Sequence, residues 1–259
     1  AWRQLYSEVE AFAAGLLSLG AKRDDHIGLV SENMKEWLWA DLAILSIGAA
    51  DVPRGSDSTA PEIQYILDHA ECSVCIVENL AQLEKVLSIK KNLKRLKTFV
   101  VLDPEFGKVD EDAVAKMAKN AGVKVFMFSD VQKQGREWAG KHPGFLEEEI
   151  AKGKTEDLAT LIYTSGTTGE PKGVMLTHSN YMHQVRTPVK HVNVEKGDTI
   201  ISVLPIWHSY ERACEYFMLF AGGAMAYSKP VAQIMVEDMG NIKPQIFPSV
   251  PRIWEAVRR

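Results

Sequence analysis

The chain has 259 residues, of which 46% are hydrophobic and 25% are charged, so one large domain or two smaller ones with a sizeable core can form. The formal net charge of −4 argues against nucleic acid as a main partner. No apolar segment reaches the roughly 18 residues that a membrane-spanning helix needs.

Strand and helix patterns alternate along the first half of the chain. Two capping pairs, Asn33 with Glu36 and Thr59 with Glu62, mark helix starts. In chain order the patterns predict a helix ending at residue 20, a strand at 27–30, helices at 33–45 and 59–69, then strands at 73–77, 98–102 and 123–128 alternating with helices at 80–89 and 112–121. This alternation is typical of parallel sheets covered by helices.

The segment 130–157 interrupts the alternation, because it holds several glycines and charged residues and no clear strand. We therefore predict an α/β fold with two parallel-sheet subdomains covered by helices, at residues 1–155 and 156–259, joined near this segment. The second subdomain is predicted to contain, in order, a strand at 159–163, a helix at 177–186, a strand at 199–204, a helix at 212–220, a strand at 224–227 and a helix from 251.

Two local features have a structural and a functional interpretation. Cys72 and Cys75 form a C-x-x-C pair, but they lie in an apparent buried strand and no second pair exists for zinc, so apolar packing is the better interpretation. The basic run at 90–97 contains Leu93 and Leu96 at helical spacing, which favours the solvated face of an amphipathic helix. Three cysteines in all favour a reducing compartment, and we expect a cytoplasmic protein with membrane association left open.

The most unusual chemistry lies where a short apolar run, ATLIY, is followed by TSGTTGEPKG. Glycines let a backbone approach a ligand closely, hydroxyls donate hydrogen bonds, and Lys172 supplies a positive charge, so the loop suits a polyphosphate. A P-loop is excluded because Lys172 is followed by Gly173 and not by Ser or Thr. A serine-hydrolase elbow is excluded because Tyr163, and not a glycine, lies two residues before Ser165.

The stretch YTSGTTGEPKGV, residues 163–174, resembles without a gap the phosphate-binding loop of the adenylate-forming enzymes. This superfamily comprises acyl-CoA synthetases, luciferases and peptide-synthetase adenylation domains. The alternative is a flexible Gly/Ser/Thr linker, but linkers are neither bounded by strands nor fixed in order like this. The match is therefore highly specific.

The resemblance extends over essentially the whole chain. LPIWHSYER, residues 204–212, is similar to the L-P-x-x-H-x-x-E-R block of the long-chain fatty-acid branch, and VPRIWE, residues 250–255, is similar to another block of that branch. RGSD at 54–57 and Trp207 before His208 resemble the acyl-acyl carrier protein synthetases of the same branch. For His208 the resemblance implies a place between nucleotide and acyl carboxylate, whereas Glu211 and Arg212 are expected to form a structural ion pair.

The resemblance implies a two-step reaction. A fatty carboxylate attacks the α-phosphorus of ATP to give acyl-adenylate and pyrophosphate, and a thiol, coenzyme A or acyl carrier protein, then attacks the activated carbonyl. Lys172 and His208 are the implied catalytic residues, and Mg²⁺ would bridge the phosphate oxygens nearest to Thr164. The implied phosphate-binding residues are Thr164, Ser165, Gly166, Thr167, Thr168, Gly169 and Lys172.

Later blocks of the superfamily are not found in this sequence: the Y-G-x-T-E block, the Y-x-T-G-D block and the C-terminal domain with its lysine. We therefore expect residues 1–259 alone not to complete adenylation. The leading hypothesis is a long-chain fatty-acid CoA ligase. An acyl-acyl carrier protein synthetase, an amino-acid-activating or luciferase-like enzyme, and an inactive ATP- or lipid-binding module remain as alternatives.

Overall fold

The computed structural model describes residues 2–102, 110–164, 170–188 and 191–258. The chain forms two compact units, Ala1–Thr177 and His178–Arg259. Both are mixed α/β structures, as the sequence predicts. No helix in the described ranges is long and apolar enough to cross a membrane.

The first unit is built on a seven-stranded sheet in the order β5-β4-β3-β1-β2-β6-β7. All neighbouring pairs are parallel except β6 with β7, which is antiparallel. The central strands are buried along nearly their whole length, as expected for a parallel sheet covered on both faces. The strands are β1 His26–Val30, β2 Ala50–Arg54, β3 Val74–Val77, β4 Thr98–Val101, β5 Lys124–Met127, β6 Leu158–Thr164 and β7 Lys172–Thr177.

Two groups of helices cover this sheet. The first group, whose members contact one another, contains α1 Trp2–Ser18, α2 Lys35–Ser46, α6 Phe128–Ala139 and α7 Phe145–Ala151. The second group contains α3 Ala60–His69, α4 Leu80–Ser88 and α5 Glu111–Ala121, and a short 3-10 turn, Lys90–Asn92, follows α4. Helix α3 has the predicted capping box of Thr59 and Glu62. The predicted Asn33–Glu36 box is wrong, because α2 begins at Lys35 with Met34 as its N-cap.

The segment 130–157 is not an open connection, since it supplies most of α6 and all of α7. Its glycine at 135 lies against α1, where an added Cβ would be 1.8 Å from the Ala11 carbonyl oxygen. Gly15 faces α6 in the same way, with its would-be Cβ 2.3 Å from the Val131 carbonyl oxygen. The glycines that suggested a loop therefore permit close packing of two helices.

The compact units divide at Thr177/His178, and not at the predicted 155/156 boundary. The reason is strand pairing: Asp51 of β2 pairs with Thr160 of β6, and β7 pairs with β6 along its length. The sequence patterns gave no strand at β7. The two strands that flank the loop, which was predicted for the second subdomain, thus belong to the sheet of the first unit.

The second unit contains a parallel pair, β8 Thr199–Ser202 and β9 Ala224–Tyr227, joined by α9 Ser209–Ala221. Ile200 also forms a parallel bridge with Ile246. The remaining helices are α8 His178–Arg186, α10 Ala232–Ile242 and α11 Pro251–Arg258. Helix α10 was not predicted from the sequence.

The two cysteines of the C-x-x-C pair are free thiols buried in the core of the first unit. Burial raises the pKa of Cys75 to about 12 and raises that of Cys72 as well. Thiols that hold their protons this firmly are poor nucleophiles and metal ligands. The apolar-packing interpretation agrees with this environment.

Candidate functional site

The glycine- and hydroxyl-rich loop connects the two strands of an antiparallel hairpin. Strands β6 and β7 pair from Leu158 with Thr177 to Thr164 with Lys172, so the last two form the mouth of the loop. A P-loop would instead run from its strand into a helix. Five predicted phosphate-binding residues lie outside the described residues: Ser165, Gly166, Thr167, Thr168 and Gly169.

The mouth of the loop presents a hydroxyl and a cation side by side. Thr164 and Lys172 are register partners, and both are exposed. Within the described part of the chain, the Lys172 ammonium has no hydrogen-bond or ion-pair partner. An unpaired, exposed ammonium beside a hydroxyl suits an anionic oxygen ligand.

Tyr163 anchors the base of the loop in the core. Its side chain is 2% exposed, and its hydroxyl oxygen lies 2.7 Å from Nδ1 of His69 on α3. Burial, with smaller effects from Cys72 and Tyr65, raises the pKa of Tyr163 to about 12. The phenol therefore keeps its proton, so its O–H is available for the hydrogen bond with Nδ1 of His69.

Opposite Tyr163 on β7 stands Gly173, where an added Cβ would lie 3.1 Å from the Tyr163 ring. The absence of a side chain lets the ring lie over the neighbouring strand. Arg54, at the end of β2, donates from its guanidinium to the carbonyl oxygen of Tyr163 at 3.3 Å. Tyr163 is thus held by the contact of its hydroxyl with His69 and by the hydrogen bond of its carbonyl oxygen with Arg54, and Gly173 leaves room for its ring.

A cleft of about 470 Å³ lies beside the ends of the two strands that flank the loop. Lys172 lines it together with His69, so both residues border the same space. Glu170 lines it as well and is the acidic group there. The remaining lining residues are Tyr65, Pro171 and Gly173.

In open parallel sheets, ligands usually bind at the carboxyl ends of two neighbouring strands whose connections to the next strands run in opposite directions along the sheet. Here that point lies between β1 and β3, but its polar groups bond to one another. The Glu32 N–H donates to the Glu78 carboxylate at 2.8 Å, and the Ser56 N–H and hydroxyl donate to the Glu32 carboxylate. Lys85 donates to the Ser56 carbonyl at 2.7 Å. The polar groups at the usual ligand-binding point of the sheet are thus hydrogen-bonded to one another.

The second unit holds the predicted residue His208. It is the N-cap of α9, it is exposed, and its ring centroid lies 6.5 Å from that of Trp207. Its N–H donates to the Pro205 carbonyl oxygen at 3.0 Å, which fixes the turn between β8 and α9. The structure thus brings Thr164 and Lys172 together in the first unit and displays His208 at a helix start in the second.

Glu211 and Arg212 do not form the expected ion pair. Arg212 donates to the Tyr216 hydroxyl at 2.9 Å, and its guanidinium lies over the rings of Tyr181 and Tyr216. Glu211 is fully buried, and within the described residues no hydrogen bond reaches its carboxyl oxygens.

Burial raises the pKa of Glu211 to about 7. The nearby Ser202 hydroxyl and backbone N–H groups of Leu204 and Val203 act in the opposite direction, and they do not offset the loss of hydration. Glu215, on the same helix, is different because its carboxylate accepts hydrogen bonds from Ser202 at 2.8 Å and Tyr227 at 3.3 Å.

The family model described as "AMP-binding enzyme" matches residues 1–259, the whole of this sequence. The chain belongs to the AMP-binding enzyme family. Among its curated relatives is a chloroplastic long-chain-fatty-acid–[acyl-carrier-protein] ligase of Arabidopsis thaliana, 32% identical over 99% of this chain and 34% of the relative. A fatty acyl-CoA synthetase of Dictyostelium discoideum is 31% identical over 98% of this chain and 36% of the relative.

The chain thus spans about a third of the length of the curated relatives it matches. Among solved structures, it resembles the adenylation domain of a carboxylate reductase from Mycobacterium chelonae with a TM-score of 0.82. That match covers 99% of this chain and 40% of the other at 22% identity, so it establishes the fold and nothing further.

The sequence did not reveal that His69 and Arg54 would support the loop. Arg54 belongs to the RGSD stretch that resembles the acyl-acyl carrier protein synthetases, and residue 69 ends a predicted helix, but neither observation assigns a role at the loop. The one local signal is the spacing of half-buried Tyr65 and exposed His69, which lie four residues apart on one side of an amphipathic helix.

We predict that Tyr163 and His69 are energetically coupled. In a double-mutant cycle with Tyr163→Phe and His69→Ala, urea unfolding should give a coupling free energy of about 1 kcal/mol, because one partly buried hydrogen bond is lost. The matched control pairs Tyr163→Phe with His142→Ala, an exposed histidine on another part of the unit, and should give a coupling near zero. Equal coupling in the two cycles would contradict the assignment.

We also predict that Glu211 makes the chain less stable as pH rises. Its folded-state pKa of about 7 exceeds the usual 4.5, so the folded chain holds an extra proton between these values and loses that advantage as pH increases through 7. From pH 5 to pH 8, Glu211→Gln should gain about 2–3 kcal/mol of unfolding free energy relative to the natural chain.

The control for this experiment is Glu237→Gln, which changes an exposed glutamate in the same unit. Its difference from the natural chain should stay constant across the same pH range. A constant difference for Glu211→Gln, measured by urea unfolding at each pH, would show that the carboxyl group is hydrated or paired.

Proposed function

We propose that this chain is the N-terminal part of an ATP-dependent ligase that activates a long-chain fatty acid and transfers it to a thiol, coenzyme A first of all. The observation that carries the proposal is the β6–β7 hairpin, which sets exposed Thr164 at the mouth of the loop beside Lys172, whose ammonium has no partner among the residues that the structure describes. Family membership supports nucleotide chemistry, and the names of the relatives support an acyl substrate.

In the first step a carboxylate oxygen attacks the α-phosphorus of ATP, and the bond to the β-phosphate breaks. Acyl-adenylate forms and pyrophosphate leaves. The protein needs no covalent participation here, so positioning and neutralisation of charge make up its contribution. Lys172 and the hydroxyl and N–H groups of residues 164–169 would hold the β- and γ-phosphates, which carry the leaving charge.

The residues at the loop fit magnesium as a companion of the nucleotide. The described residues contain no group of three or more His, Cys, Asp or Glu side chains that could hold a metal ion. Mg²⁺ commonly keeps substrate phosphates and waters among its ligands and takes few from the protein. We expect the Thr164 hydroxyl to lie nearest to it in this chain.

In the second step a thiol sulfur attacks the acyl carbonyl, and AMP leaves. His208 is proposed to line the site between nucleotide and acyl group, which its exposed position before α9 permits. Acyl carrier protein is the alternative acceptor, because the Arabidopsis relative bears that specificity in its name.

Two rival functions differ from this proposal in measurable ways. An amino-acid-activating enzyme would carry an acidic anchor in place of the block at 204–212, which here holds His208. An inactive ATP- or lipid-binding module would bind ligand without forming adenylate. Both rivals lack the fatty-acid-dependent release of pyrophosphate that the proposal requires.

We predict that ATP–pyrophosphate exchange by the intact ligase containing this chain depends on the length of the fatty acid. Each methylene buried in an acyl tunnel contributes about 0.8 kcal/mol, so kcat/KM should rise about fourfold per methylene until the tunnel is full. The panel is acetate, octanoate, palmitate, oleate and phenylalanine. Equal efficiency with acetate and palmitate would overturn the substrate class, and no exchange with any acid would favour an inactive module.

We predict that Lys172→Ala lowers kcat/KM for ATP in the intact ligase by roughly ten- to a hundredfold. A charge-assisted contact is worth about 1.5–3 kcal/mol, and Lys172 has no other partner within the described ranges to retain. Lys154→Ala removes another exposed lysine of the first unit and should leave ATP use unchanged. Unchanged kinetics in Lys172→Ala would refute the phosphate assignment.

A further inference from the structure

A second concave surface lies at the opposite edge of the first unit's sheet. A groove of about 710 Å³ runs between α4, the turn Lys90–Asn92 and α5. Its floor is apolar, formed by Leu87, Met117 and Ala121. Its rim carries three cations, Lys90, Lys91 and Lys94. We call this feature the lysine groove.

The basic run that forms the rim is not the amphipathic helix that the sequence predicted. Helix α4 ends at Ser88, and the chain then turns through Lys90–Asn92 towards β4. Leu93 and Leu96 are 2% and 1% exposed, so they fix this turn in the core. The backbone that carries Lys90, Lys91 and Lys94 is therefore held in place by these two leucines.

The charges of the groove are largely uncompensated. Lys91 and Lys94 are exposed and, in the part of the chain that the structure describes, have no ion-pair or hydrogen-bond partner for their ammonium groups. Lys90 donates to the Leu93 carbonyl oxygen at 2.9 Å, which leaves its charge unneutralised. Glu84 is the acidic residue among those lining the groove.

Further lysines extend the positive surface along the same edge. Lys97 precedes β4, Lys124 begins β5, and the Lys124 N–H donates to the Lys97 carbonyl oxygen at 2.9 Å. Lys119 lies in the last turn of α5, and all three side chains are exposed. In contrast, Arg95 is paired with Glu71 at 2.8 Å.

We propose that the lysine groove docks the protein on an anionic lipid membrane. The lysines would meet headgroup phosphates, and the apolar floor would receive part of an acyl chain. Cations clustered on one face bind anionic bilayers, and apolar contact adds to that attraction. The arrangement of lysines around Leu87, Met117 and Ala121 matches both halves of a phospholipid.

An acidic carrier protein is the other partner that these charges suit, but the position of the groove argues against it. The groove lies where β4 and β5 begin, whereas the loop between β6 and β7 lies where the parallel strand β6 ends. A carrier protein docked in the groove would hold its thiol at the wrong edge of the sheet. Membrane docking has no such constraint, and it does not depend on the proposed ligase activity.

The test is sedimentation of the purified protein with vesicles of phosphatidylcholine containing a quarter phosphatidylglycerol. The natural protein should bind these vesicles and not pure phosphatidylcholine. The triple variant Lys90→Gln/Lys91→Gln/Lys94→Gln should bind roughly a hundredfold more weakly, since each lysine near an anionic surface contributes about fivefold. Binding should also weaken as salt rises.

The matched control removes the same charge elsewhere, with Lys133→Gln/Lys141→Gln/Lys154→Gln, and should retain binding within severalfold. Met117→Gln keeps every charge and should lower binding severalfold by making the floor polar. Far-ultraviolet circular dichroism checks that each variant is folded. Equal loss in both triple variants, or binding to acidic acyl carrier protein that is lost in the groove variant while vesicle binding persists, would overturn the proposal.

Discussion

The pairing of Thr164 with Lys172 is the constraint on which the candidate site depends. Strand β6 continues the parallel sheet, and β7 turns back along it, so both ends of the loop are fixed by one ladder of hydrogen bonds. Tyr163 adds a side-chain anchor on His69 and a backbone anchor on Arg54. The position of the lysine is thereby determined by the core of the first unit, as the proposed contact with a phosphate requires.

The topology of the sheet supports the proposed site at this hairpin. The usual ligand crevice of such a sheet, between β1 and β3, is closed by hydrogen bonds among Glu32, Ser56, Glu78 and Lys85. These bonds satisfy half-buried polar groups at the ends of the central strands. The antiparallel strand at the edge then offers the exposed backbone and side chains that the closed centre lacks. The proposed phosphate site and the proposed lipid-binding surface lie at opposite ends of the strands.

Features that depend on neighbouring residues could be predicted from the sequence, whereas features that depend on tertiary packing could not. The strand before the loop and the capping box of Thr59 and Glu62 follow from neighbouring residues, and they were predicted. Strand β7 was missed because its six residues are half-exposed and run directly into α8, so no periodicity separates them. Gly135 was misinterpreted because glycine marks a loop and a close helix contact equally well, and only the position of Ala11 distinguishes the two.

The sequence by itself determined the α/β alternation and the chemistry of the loop, because both are written in residues that are close together along the chain. It also carried the resemblance that the family match bears out. The tertiary structure decided what supports the loop, since Tyr163 and His69 are 94 residues apart and no local pattern links them. It likewise decided that Glu211 is buried without an ion pair to Arg212, although the two residues are adjacent in sequence. Successive residues on a helix point about 100° apart, so adjacent side chains face different surroundings.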